Sequence, residues 1–214
     1  MKRVHIVVSI ALTLAAVAAS LALYPQLPET LPIHWNFQGE PDGYGPKALA
    51  AFLMPGVMAL MLGLMLWLPR LSPKRFEVDE FRGTYSLLVV MVTALFGYIH
   101  AVVLWAGLGE GDVGRALLAG LMLFFAAMGN YMGKVRRNFW MGVRTPWTLA
   151  DERVWNQTHR LAAWSFVAAG LAGFALALAG APVPWVLGLL LAAVLVPVVY
   201  SLVAYKRFQR RGEL

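Results

Sequence analysis

The 214-residue chain has no cysteine. That excludes disulfides, thiol chemistry and cysteine-ligated metal sites. Charge is also scarce: 14% of residues are Asp, Glu, Lys or Arg, against about 25% in a soluble domain. Gly-x-Ser-x-Gly, His-Glu-x-x-His and a phosphate-cradling glycine loop are missing, so no common catalytic constellation supports an enzyme, and nothing calls for a cofactor. The long apolar runs hold no Asp, Glu, Lys or Arg, the groups on which ion-coupled transport usually depends.

What remains is strongly apolar, with 60% hydrophobic residues. Six nearly uncharged runs occupy residues 4–23, 48–68, 85–108, 116–132, 161–179 and 183–204. About 20 apolar residues in a helix cross a bilayer core, so the expected fold is an all-α membrane protein with six transmembrane helices. The first run exceeds the roughly 7–15 apolar residues of a secretory signal. Despite Lys2-Arg3 and Ala16-Val17-Ala18 it reads as a retained helix. Basic residues collect on the cytoplasmic side of membrane proteins. With both termini cytoplasmic, Lys47 and Arg115 lie outside and the other 16 of the 18 Lys and Arg lie inside. The net charge of +7 is therefore an orientation signal with attraction to anionic lipid. No recognition motif accompanies it, and direct nucleic-acid binding is not expected. The expected place is a membrane, with both termini on its cytoplasmic side.

Two polar segments interrupt the runs. Residues 24–47 form an outer loop whose five prolines rule out a continuous helix. Its Pro41-Asp42-Gly43 is a turn signal, and Leu31 to Phe37 is extended in character, so an ordered, strand-like pair over the helix ends is expected. His34, Trp35, Asn36, Glu40 and Asp42 are its candidate ligand- or peptide-binding residues, an aromatic between two polar groups being suited to recognition at a membrane surface. His34, Glu40 and Asp42 are a weak metal candidate, without a standard ligand spacing.

Residues 129–160 hold four Trp or Phe and six Lys or Arg between two apolar runs. This is too much specific chemistry for a connector. Asn130, Lys134, Arg136, Asn138, Arg144, Thr145, Trp147, Trp155, His159 and Arg160 are candidates for signalling or for binding lipid phosphate. Asn130, between Gly129 and Gly133, is expected to bond across a close helix contact. Arg–carboxylate pairs are expected to fold the segment. Thr145-Pro146 marks a helix start, Thr148 and Asp151 resemble a capping box, and one long helix is expected over 146–179, amphipathic at first, with Trp147, Trp155 and Trp164 at headgroup level. Ala169 and Gly173 offer a close-packing face for oligomers. His100 is expected to be solvated near the outer interface. The charged loop 69–83, with Phe76 and Phe81, reads as a connector or an interfacial turn. A boundary near 83 would divide the chain into regions 1–83 and 84–214.

Leu31-Pro32-Ile33-His34-Trp35-Asn36 with Gly39-Glu40-Pro41-Asp42-Gly43 resembles a membrane domain of unknown function that commonly opens SdpI-type proteins. Gly129-Asn130, Gly133-Lys134, Arg136, Asn138, Gly142-Val143-Arg144-Thr145-Pro146-Trp147-Thr148-Leu149, Val154-Trp155 and Thr158-His159-Arg160 resemble the SdpI signature itself. The resemblance implies a bacterial membrane immunity protein. It would protect against a secreted antimicrobial peptide and could signal by capturing a transcriptional repressor inside. The residues alone leave open a transporter or lipid-handling protein and, more weakly, a metal-dependent membrane enzyme.

Overall fold

The computed structural model describes residues 2–72, 78–109 and 111–214. Six of its helices are long and apolar enough to cross a membrane: α1 (Arg3–Leu23), α2 (Lys47–Trp67), α3 (Arg82–Gly107), α4 (Val113–Met132), α6 (Glu152–Leu178) and α7 (Val183–Arg210). A five-residue helix, α5 (Pro146–Ala150), precedes α6. Two antiparallel strands, β1 (Thr30–Trp35) and β2 (Pro41–Pro46), make a hairpin between α1 and α2. Of the expected charged-loop turn, Phe76 falls outside the described residues. Phe81 is buried at the end of a short 3-10 turn, Val78–Phe81.

The helices pack as two groups, α1–α2–α3 and α4–α6–α7, joined along α3 and α4. The contact of α4 with α6 is backbone against backbone. A Cβ on Gly129 would come 2.8 Å from the Val167 N, and one on Gly170 would come 2.5 Å from the Ala126 N. Small residues permit this approach, and in lipid close packing takes the place of the hydrophobic drive between helices. Gly173, expected on a close-packing face, rests on the Met122 side chain of α4.

In β1 the inward positions alternate as a strand requires. Leu31, Ile33 and Trp35 meet Ala50, Ala51, Val103 and Leu104, with Leu31 fully buried. His34 points away and is exposed. Pro32, Pro41 and Pro46 are tolerated because a lone two-stranded ribbon consists only of edges.

The expected single helix over 146–179 is broken at Asp151, whose backbone is extended (φ −132°, ψ 130°). The cause is competition between caps. Thr145 caps α5, reciprocating with Thr148. Asp151 is not the fourth member of that box but the N-cap of α6, accepting from the Arg153 and Val154 N–H groups. An Asp side chain satisfies orphan N–H groups from a non-helical backbone, so it starts a new helix instead of continuing the old one.

Candidate functional site

The two polar segments lie at opposite ends of the bundle. At the hairpin end, Asn36 organises the turn. Its Oδ1 accepts from the Gln38 and Glu40 N–H groups at 2.9 and 3.0 Å, and its backbone N–H donates to the Glu40 carbonyl. His34 Nδ1 lies 2.5 Å from Asp42 Oδ1, with 70% of the His34 side chain exposed. Glu40 is exposed and does not join them. Among the described residues no three His, Asp or Glu side chains gather as a metal site, so His34, Glu40 and Asp42 do not form the weak candidate centre.

The tip of the hairpin reaches the second helix group. Gly39 (φ +83°) sits on Gly114 at the start of α4, where a Cβ would lie 2.5 Å from the Gly39 carbonyl oxygen. Beneath the ribbon is a cleft of about 540 Å³, within the range of ligand sites. Its rim is His34, Asn36 and Asp42; its walls include Trp35, Met54, Ile99, Leu117, Leu121 and Leu187. Sequence reasoning found the rim and Trp35 and missed the helix residues of the walls. An apolar side chain inside a spanning run looks the same whether it faces lipid or a cleft. A second, smaller cavity of about 420 Å³ lies across Gly39, where Arg115 pairs with Asp112 at 3.2 Å.

At the other end, residues 133–151 form a tightly bonded loop. Asn138 is its pivot, fully buried. Its amide nitrogen donates to the Arg136 and Met141 carbonyls, and its oxygen accepts from the Trp140 and Met141 N–H groups. Trp155 does not face outward as an interfacial anchor would. It is fully buried and donates from Nε1 to the Val135 carbonyl at 2.7 Å. His159 is also buried and stacks on the Trp155 ring with centroids 3.9 Å apart. Its hydrogen bonds fix the tautomer. The Val143 N–H donates to Nε2 at 3.0 Å, so Nδ1 carries the proton and donates to the Trp155 carbonyl at 2.9 Å. Thr145 reaches across to Ser201 of α7 at 3.1 Å.

The arginines do not fold this loop through carboxylates alone. Arg144 donates to the Phe139 carbonyl and Arg137 to the Leu149 and Ala150 carbonyls. The acid–base pairs lie at its edge, where Arg153 binds Asp151 at 3.0 Å and Glu213 at 3.5 Å and covers the Phe208 ring. Burial works to raise the Asp151 carboxyl. Hydrogen bonds from the Arg153 side chain and from the Val154 and Arg153 N–H groups, with the arginine charge, outweigh it and hold the carboxyl below its usual range.

Lys134, Arg136 and Arg160 are exposed at this end, with Trp147 half-buried. Lys134 lies over the Tyr131 ring. Asn130 is exposed and folds back onto the Ala126 carbonyl of its own helix, so it makes no bond across to α6. An exposed amide finds its nearest acceptor one turn back, while Gly129 is the residue that faces α6. His100 is buried, not solvated. Its Nε2 lies 2.9 Å from Ser20 Oγ, and Ser20 Oγ donates to the Ala51 carbonyl. This polar contact ties α1, α2 and α3 together.

Residues 11–59 match DUF1648, a domain of unknown function, and residues 134–201 match the SdpI/YfhL protein family. The immunity protein SdpI of Bacillus subtilis (strain 168) is 28% identical over 165 residues, covering 77% of each chain. No solved structure matches. The loop from Lys134, α5, α6 and the part of α7 that meets Thr145 all fall within the second match, so the chain is similar to the SdpI/YfhL protein family over residues 134–201, behind a segment similar to DUF1648.

Proposed function

We propose that this protein is an immunity-type protein of the bacterial cytoplasmic membrane, with the hairpin outside and both termini inside. The observation that carries the reading is the apolar cleft under the hairpin, rimmed by His34, Asn36 and Asp42 and placed where a peptide arriving at the membrane surface meets it first. Similarity to an immunity protein over 77% of the chain supports the same reading. The peptide inserts beneath the ribbon and loses its access to the bilayer. The 133–151 loop, with Arg136 and Phe139 exposed, together with the exposed Arg160 of α6, is the surface a cytoplasmic repressor would contact.

A survival assay tests this. A sensitive bacterium expresses the intact chain, a His34→Ala variant or a cleft-filling Leu121→Trp variant, each checked for membrane insertion, and is challenged with a panel of secreted, membrane-active antimicrobial peptides. The expected result is protection by the intact chain and loss of protection in the cleft-filled variant. Full protection by an inserted Leu121→Trp protein would remove the cleft from the function.

A lipid-handling reading has one specific support. Lys134, Arg136 and Arg160 are exposed at the end where lipid phosphates would lie. Phospholipid co-purifying with the intact protein but not with an Arg136→Ala, Arg160→Ala double variant would favour it.

A further inference from the structure

We infer that the cleft takes an apolar peptide segment led by an ammonium group, with the apolar part between α3 and α4 and the cation on Asp42. This rests on the reading of the cleft as a peptide site and names the chemistry of its ligand. The lining divides sharply. Met54, Leu95, Ile99, Leu117, Leu121 and Leu187 supply an uncharged floor, and among the described residues Asp42 is the one carboxylate that lines the cavity. Among the described residues no lysine or arginine lines it. Arg115 is on the far side of the Gly39–Gly114 contact, in the smaller cavity, already paired with Asp112.

His34 does not saturate Asp42. The ring nitrogen contacts Oδ1 alone, whereas an ionised carboxylate offers about four lone-pair positions on two oxygens. An arriving ammonium bonds to the same carboxylate beside the imidazole. A ligand with a carboxylate in that position would meet like charge at the rim, and a wholly apolar one would leave the rim groups without a partner. Trp35 lines the cleft wall from the inward side of β1, which makes it a reporter of occupancy.

The test is quenching of Trp35 in the full chain, held in phosphatidylcholine nanodiscs. The probe is a short leucine peptide carrying one bromophenylalanine, with either a free or an acetylated amino terminus. A Trp35→Phe protein supplies the background from the other tryptophans. The free-amine probe is expected to quench at about twofold to fivefold lower concentration than the acetylated one, the upper range of a partly exposed ion pair. Asp42→Asn should erase that difference while leaving the acetylated probe unaffected, and Leu121→Trp should abolish quenching by both. Equal quenching by the two probes, or a preference that survives Asp42→Asn, would overturn the inference. Loss of the free-amine signal in nanodiscs containing phosphatidylethanolamine would overturn it in favour of a lipid amine as occupant. The assay uses no toxin. A retained amine preference with no survival benefit sinks the immunity reading alone, and protection without the preference sinks this inference alone.

Discussion

Gly142 lies directly against the ring of His159, with φ at +100° and the imidazole Nε2 where a Cβ would stand. The contact is local in space and 17 residues apart in sequence. It lets the loop close down until the Val143 N–H reaches Nε2. Gly142→Ala meets both a backbone penalty of about 1–2 kcal/mol and an overlap with a ring that cannot withdraw from under Trp155. Thermal unfolding in detergent should show a clear loss of stability, with faster tryptic cleavage after Arg144. A variant as stable and as protease-resistant as the parent would contradict the assigned packing.

His159→Phe keeps the stack on Trp155 and removes the acceptor for Val143. A buried N–H left without a partner costs roughly 1–3 kcal/mol. Combined with Gly142→Ala, the losses should fall short of the sum, because both act on one contact. Strict additivity in the double-mutant cycle would show that the two residues do not share it.

The hairpin and this loop were legible in the sequence to different depths. The extended character of Leu31 to Phe37 announces the ribbon from local chemistry, but Pro41-Asp42-Gly43, expected as its turn, lies in β2, because the Asn36 Oδ1 bonds to the Gln38 and Glu40 N–H groups turn the chain earlier. The roles of Trp155 and His159 do not show, since a Trp among charges beside a membrane span reads equally well as an interfacial anchor. Only the Val135 carbonyl and the Gly142 gap, which belong to another segment, decide it. Asp151 misled for a different reason. It suits the first turn of a helix and the cap of one, and the prior claim of Thr145 on the first turn settles which.

Asp151→Ala should destabilise the protein by about 1 kcal/mol through loss of the α6 cap. The depressed carboxyl also gives this stability a pH dependence. It is fully present above the unfolded value near 4 and is lost as pH falls through the lower folded value. Asp151→Asn keeps a capping oxygen and should flatten that acid limb. A Tm-against-pH curve unchanged in Asp151→Asn would show that the carboxylate contributes nothing there.

The glycines of the α4–α6 contact should tolerate no side chain. Gly170→Ala places a methyl 2.5 Å from the Ala126 N, whereas a Cβ on Gly63 of α2 meets nothing within 4 Å. Melting temperature should drop several degrees in the first variant and hold or rise in the second, where Ala only improves helix propensity. Equal responses at the two sites would contradict the close approach.

Arg153 grips Asp151 at the start of α6, Glu213 just past the end of α7, and the Phe208 ring between them. The same two helices are joined at the hairpin end by the short turn before Val183. They therefore form a closed frame, fastened at both ends, with α4 keyed into α6 through Gly129 and Gly170. In mechanical terms a push on Gly114 at the hairpin tip does not bend one rod. It loads a braced panel of three, whose far edge carries the 133–151 loop.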